Sequence, residues 1–234
     1  MADHAPHNPG QAEAGAALGA DLNEADLNEA GLNEAGRILF ARDCRFIALA
    51  DQPARIPALA LPEVAIAGRS NVGKSSLLNA LTGRAGLARA SRTPGRTRAL
   101  VFFDLAGRLI LVDLPGYGYA KAPKLLAREW QGLMLAYLRG RPNLRRVLLL
   151  IDARHPVSSA DRAAMTLMDD AAVGFQIVLT KSDAVPAERL AERIGQASAL
   201  ARVHPAAHPE IFACSSRSRT GIVELRAALA LLAA

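Results

Sequence analysis

From Glu63 onward, short runs of β-branched and aliphatic residues alternate with longer amphipathic stretches. The runs are PEVAIAG, ALVFFDL, RLILVDL, RRVLLLID, GFQIVLT and EIFACS; between them lie stretches such as KSSLLNALTG, SADRAAMTLMDD and PAERLAERIGQASAL. This alternation predicts parallel strands covered by helices on both faces. Only Ala106-Gly107 separates ALVFFDL from RLILVDL, which favours one antiparallel hairpin inside the sheet. The expected architecture is an α/β three-layer sandwich with a mostly parallel six-stranded sheet and one antiparallel edge strand.

The first 40 residues read differently. Positions 20–34 repeat ADLNE, ADLNE, AGLNE, and a period of five carries Leu22, Leu27 and Leu32 around a helix instead of along one face. Residues 1–40 are therefore expected to be a disordered acidic tail, with a transient helix or a docking arm as the alternative, and 41–234 to be one folded domain.

Charge sharpens this division. The whole chain carries +6, but residues 1–36 hold seven acidic groups and no Lys or Arg, so 28 basic and 15 acidic groups leave +13 on the remainder. A body this basic suits a polyanionic partner, RNA or a membrane surface. No apolar run approaches the roughly 20 residues of a membrane helix, and no basic leader precedes an apolar stretch, so neither export nor membrane insertion is expected. Cys44 and Cys214 lie far apart and form no CxxC, which points to reduced thiols in the cytoplasm.

Candidate chemistry begins with GRSNVGKSS. Gly68, Gly73, Lys74 and Ser75 fit G-x-x-x-x-G-K-[ST], placed between a predicted strand and a predicted helix. Backbone N–H groups and the helix N-terminus favour phosphate there, Lys74 can reach the β and γ phosphates, and Ser75 can ligate Mg²⁺. The chain has four lysines beside 24 arginines, so two given basic positions would both be lysine about one time in fifty. Lys74 and Lys181 therefore mark sites where a slim ammonium fits and a guanidinium does not.

Thr180-Lys181-Ser182-Asp183 ends another predicted strand, where ligands of open α/β sheets gather. Asp183 can accept from guanine's N1–H and exocyclic amine, donors that adenine does not offer there. Such a site discriminates by about 10⁴ or more. A strand-ending turn with Asp183 as a helix cap is the competing reading. Asp113-Leu114-Pro115-Gly116 follows RLILV, with Asp113 placed for Mg²⁺ and the Gly116 amide for the γ-phosphate. Taken singly, that tetrapeptide is also a common turn.

GRSNVGKSS, PGRT at 94–97, DLPGYGYA at 113–120, TKSD and CSS at 214–216 together resemble the EngB family of bacterial GTPases over roughly residues 41–234. The resemblance implies a P-loop G domain that binds GTP and GDP and acts as a switch in large ribosomal subunit assembly, needed for normal cell division and septation. A direct role in septation without the ribosome is the alternative. It also implies a nucleotide site built from Gly68, Arg69, Ser70, Asn71, Val72, Gly73, Lys74 and Ser75. Gly95, Arg96, Thr97, Arg98 and Ala99 would join from the first switch, then Asp113, Leu114, Pro115 and Gly116. Thr180, Lys181, Ser182 and Asp183, with Cys214, Ser215 and Ser216, would hold the base, the two serine amides facing guanine O6. Ser75, Thr97 and Asp113 would serve Mg²⁺, and Lys74, Asn71 and Gly116 the hydrolysis. Arg98 departs from the Gln common in the family at that position.

Many G proteins follow the DxxG glycine with a Gln that orients water; here Tyr117 stands instead, so turnover of the isolated protein is expected at about 10⁻⁴ to 10⁻² s⁻¹. Asn71 implies, by the same likeness, a K⁺ ion held against the phosphates and potassium-stimulated hydrolysis. Arg84, Arg89, Arg92, Arg96 and Arg98 fall in an acid-free stretch, and Arg139, Arg141, Arg145 and Arg146 form a second cluster. Both suit rRNA in a large-subunit precursor, as against a merely solvated basic surface. The protein is expected to be a monomer. A P-loop phosphotransferase is the remaining class, and TKSD and DLPG both argue against it.

Overall fold

The computed structural model describes residues 28–87, 99–117 and 124–233, with residues 124–131 as backbone. In these residues seven strands form one sheet: β1 Cys44–Ala50, β2 Glu63–Gly68, β3 Leu100–Leu105, β4 Leu109–Asp113, β5 Leu144–Asp152, β6 Phe175–Thr180 and β7 Phe212–Cys214. Among the described residues six α-helices accompany them: α1 Glu29–Ala41, α2 Lys74–Thr82, α3 Lys124–Arg139, α4 Ser159–Asp170, α5 Ala187–Ala201 and α6 Ile222–Leu231. The strand order is β1-β3-β4-β2-β5-β6-β7, with β3 antiparallel to both neighbours and the other pairs parallel.

The sheet thus corrects the expected six strands and antiparallel edge. β1 is the added strand; it occupies the edge and moves the antiparallel β3 inward. Its residues CRFIALA show no clean alternation, because a bulge between Phe46 and Ala48 changes which face the side chains take. The β3–β4 hairpin is as expected. Ala106 and Gly107 both have positive φ, 59° and 65°, as a tight turn matching the strand twist requires.

Alternate residues of the strands feed two cores. One side holds Ala65, Phe102, Val112, Leu149 and Ile177 against Leu133 and Tyr137 of α3, Met165 of α4 and Ala197 of α5. The other holds Ile66, Phe103, Leu111, Leu148 and Val178 against Phe40 of α1, Leu77 and Leu81 of α2 and Leu225 of α6. Three layers result, and β2 is buried at every position, the condition of a central parallel strand.

Helix α1 begins inside the segment expected to be disordered. Asn28 caps it by accepting from the Gly31 amide at 2.9 Å, and Gly36 and Phe40 are buried. Gly36 lets α1 lie against α6, since a Cβ there would fall 2.6 Å from the Ala227 nitrogen. Ordered structure therefore starts by residue 28, and residues 1–27 lie outside the described part. Among the described residues no helix is long and apolar enough to cross a membrane.

Candidate nucleotide site

The carboxyl ends of β2, β4, β5, β6 and β7 meet at one edge of the sheet, and the motifs lie there. Gly68 closes β2 and leads into the loop. A Cβ on Gly68 would press within 2.7 Å of Val72 and 3.0 Å of the Leu150 carbonyl, so only glycine lets the loop fold back over β5. Asn71 and Gly73 take positive φ, 64° and 112°, and Lys74 opens α2. The first-turn amides of α2 have no carbonyl one turn behind them, which makes this end receptive to an anion.

Lys74 and Asp113 share the floor of the loop. Burial lowers the Lys74 pKa, opposed by the charge of Asp113. Burial pushes the Asp113 carboxyl up to about 6, opposed by Lys74. Asp113 Oδ1 is buried and has no hydrogen-bond partner among the described residues. An unsatisfied carboxylate oxygen beside a phosphate loop fits Mg²⁺, with Ser75 on the first turn of α2 as the neighbouring oxygen. Gly116 sits tight against the same loop: a Cβ there would lie 3.1 Å from Lys74 Nζ and from the nitrogen and Oγ of Ser70. Leu114 and Pro115, which connect the two, are buried, and the Leu114 amide donates to the Ile66 carbonyl at 3.0 Å.

The TKSD segment is bonded to the phosphate loop directly. Thr180 Oγ1 donates to the Val72 carbonyl at 2.7 Å, and Lys181 Nζ donates to the Asn71 carbonyl at 2.8 Å and to Asp152 at 2.7 Å. Lys181 itself is left-handed, φ 58°, the turn that brings its stem across Gly73. Burial alone would raise Asp152, but hydrogen bonds from Arg154 and Lys181 hold its carboxyl well below the usual range. Asp183 is exposed beyond it in a short 3-10 turn, while Ser182 is buried.

The CSS segment is brought to the same edge by the pairing of Cys214 with Thr180. One expectation fails there. The Ser215 amide donates to the Thr220 carbonyl at 3.0 Å, and its hydroxyl accepts from the Arg217 and Ser218 amides, so Ser215 holds the loop together and has no amide left for a base. The Ser216 amide has no partner among the described residues. Cys214 is buried, and burial pushes its thiol up to about 12.

Ala99 is buried at the start of β3; Gly95, Arg96, Thr97 and Arg98 lie outside the described residues, as do Arg89 and Arg92. Arg84 pairs with Asp43 at 2.6 Å. The second arginine cluster sits at the opposite edge, where β2 and β5 begin, and is not a uniform basic face. Arg141 is bonded to the buried Glu63, and Arg146 donates to Gln176 at 2.9 Å.

Two further aspartates at the site carry no motif in the sequence. Asp152 ends β5 at the ligand edge of the sheet, a position that could have flagged it. Asp161 accepts from the Tyr117 hydroxyl at 3.0 Å, a pairing across 44 residues that no local pattern announces. A cavity of about 360 Å³ adjoins the loop, lined by Arg69, Asn71, Asp152, Arg154, His155 and Asp161 among others.

The model of the 50S ribosome-binding GTPase family matches residues 63–181. The chain is 57% identical over 194 residues to a probable GTP-binding protein EngB of Granulibacter bethesdensis, covering 83% of this chain and 87% of the relative. It is 55% identical to the corresponding protein of Gluconobacter oxydans, covering 83% and 86%. A crystal structure of a probable GTP-binding protein EngB superposes with a TM-score of 0.58 at 20% identity, covering 73% of this chain and 98% of that one, a likeness of fold. A phosphate loop locked to TKSD, on this fold and with these relatives, has one home: the chain belongs to the EngB family of GTP-binding proteins, P-loop GTPases.

Proposed function

We propose that the chain is a slow, Mg²⁺-dependent GTPase switch that acts in the cytoplasm, as a monomer, in assembly of the large ribosomal subunit. The observation that carries the nucleotide half is the direct bonding of Thr180 and Lys181 to the Val72 and Asn71 carbonyls, which supports reading the two motifs as one site for base and phosphates. The ribosomal half draws on the matched family, described as ribosome-binding.

Lys74 and the first-turn amides of α2 bind phosphate, Asp183 reads the guanine edge, and the Ser216 amide is left to meet O6. Asp113, Ser75 and Thr97 would hold Mg²⁺, which neutralises charge on the phosphates when bound. Tyr117 is buried with its hydroxyl committed to Asp161, so it does not orient the attacking water, and unaided turnover is slow. Asn71 remains exposed at the loop tip, where a K⁺ ion can complement the phosphate charge. Turnover faster in KCl than in NaCl, lost in Asn71→Ala, is expected; equal rates in both salts would remove potassium from the reaction.

The ribosomal role is tested by profiling ribosomal particles after depletion. Immature large subunits should accumulate, and the purified chain should bind them differently in GTP and GDP, with affinity falling steeply as salt rises. Normal particles beside a septation defect would overturn it.

A further inference from the structure

Gly116 is held in place from an unexpected direction. Its successor, Tyr117, pairs with the phosphate loop through both backbone groups: the Tyr117 amide donates to the Gly68 carbonyl at 3.2 Å, and its carbonyl accepts from the Ser70 amide at 3.1 Å. This is a parallel bridge between Arg69 and Tyr117. The side chain runs on into the core beneath α4, where the residue is 8% exposed and the hydroxyl donates to Asp161 Oδ1. Burial, then the neighbouring Asp161, keep the phenol far above its usual pKa, so it is a neutral donor.

Asp161 is itself immobilised. It is 2% exposed, and its Oδ2 accepts from the Ser158 amide at 2.9 Å and the Ser158 hydroxyl at 2.6 Å, completing the capping box of α4. Helix α4 contributes none of the expected nucleotide contacts. Its first turn nevertheless grips the residue after the glycine expected to sense the γ-phosphate, and Gly116 has no slack toward Lys74 and Ser70.

We propose that Asp161 is a positioning residue for GTP recognition and hydrolysis, acting through the Tyr117 hydroxyl to hold the Gly116 amide where a γ-phosphate would meet it. GDP carries no γ-phosphate and is indifferent to this anchor. The inference rests on the nucleotide-site reading above and is independent of the ribosomal one. It assigns Tyr117 a task beyond packing: its ring fills the core and its hydroxyl sets the glycine.

The test compares wild type, Tyr117→Phe, Asp161→Asn and the double variant, reading Kd for GDP, Kd for a non-hydrolysable GTP analogue, and the single-turnover hydrolysis rate. Tyr117→Phe keeps the ring and the capping box and removes one hydrogen bond. It should leave GDP affinity within about twofold of wild type while weakening the GTP analogue and slowing hydrolysis about five- to tenfold. The double variant should be no worse than Tyr117→Phe in the analogue-to-GDP ratio, because both changes break one contact. Ser158→Ala, which removes one of the two bonds on Asp161 Oδ2 but leaves the Ser158 amide bond and the Tyr117 bond, should lower Tm and move that ratio less than Tyr117→Phe does. A wild-type ratio and rate in Tyr117→Phe, or additive losses in the double variant, would overturn the assignment. Failure of wild type to bind either nucleotide would overturn the site itself.

Discussion

Lys181 reaches across the phosphate loop to the Asn71 carbonyl, at 2.8 Å, while Asp152 holds the same ammonium from the other side at 2.7 Å. Arg154 in turn donates to Asp152 at 2.9 and 2.8 Å. The three form a brace that fixes the TKSD turn, proposed to read the base, relative to the phosphate loop. A planar guanidinium at 181 would not reproduce the two contacts that one compact ammonium makes with the Asn71 carbonyl and with Asp152. Lys181→Arg should weaken GTP and GDP alike, by about tenfold or more, and Asp152→Asn should do so less severely. Calorimetric titration of both nucleotides checks this; a loss confined to GTP would contradict it.

The same brace shows what a sequence can and cannot disclose. Lys181 and the loop glycines are legible because each motif sits at a strand end and its spacing encodes a function. Asp152 is a lone carboxylate after an apolar run, and only its three-dimensional neighbours give it a role. The Tyr117–Asp161 bond joins residues 44 apart, and nothing local to either predicts the other. Strand β1 is not legible in the sequence because it pairs on one side only and leaves Phe46 and Leu49 exposed, so no clean apolar period marks it.

Helix α1 makes the point from the opposite direction, and it yields a prediction. The repeat leucines form no stripe, but Leu32, Gly36 and Phe40 step by four and place a half-buried Leu and two buried residues along one side. A glycine carries no hydrophobic signal, and here it is the contact: its missing side chain admits the α6 backbone. Gly36→Leu should push α1 from α6, lower Tm by several degrees and leave nucleotide affinity unchanged, because the docking surface lies away from the loop. Thermal unfolding with and without GDP measures both quantities.

Glu63 and Arg141 form a pair whose side chains are 0% and 10% exposed, at the opposite edge of the sheet from the phosphate loop. The Tyr137 hydroxyl also donates to Glu63 at 2.9 Å, and Arg141 donates to the Pro57 carbonyl at 2.8 Å, tying the segment before β2 to the end of α3. Removing one partner strands the other charge in the interior. Glu63→Gln or Arg141→Met should cost about 3–5 kcal/mol in denaturant unfolding. Arg141 is therefore an internal strut, its guanidinium taken up by Glu63 and the Pro57 carbonyl, and in the proposed large-subunit binding assay folded Arg141→Met at low temperature should equal wild type.

Asp113 offers a test in which stability and ligand binding respond to pH in opposite directions. Burial raises its folded-state carboxyl to about 6, above the unfolded value of 3.8, so the folded nucleotide-free chain holds the proton more tightly than the unfolded chain does. The stabilising contribution is complete below the unfolded value and is lost as pH rises through about 6; its ceiling is about 3 kcal/mol. Nucleotide-free protein should therefore gain stability from this group as pH falls from about 7 to about 5, and Asp113→Asn should remove that part of the slope. Magnesium needs the ionised oxygen that the fold leaves without a partner, so Mg²⁺-dependent tightening of GTP should weaken over the same interval. Denaturant unfolding and nucleotide titration across this range, in wild type and Asp113→Asn, separate the two effects. Parallel pH slopes in the two proteins would show that another group carries the titration.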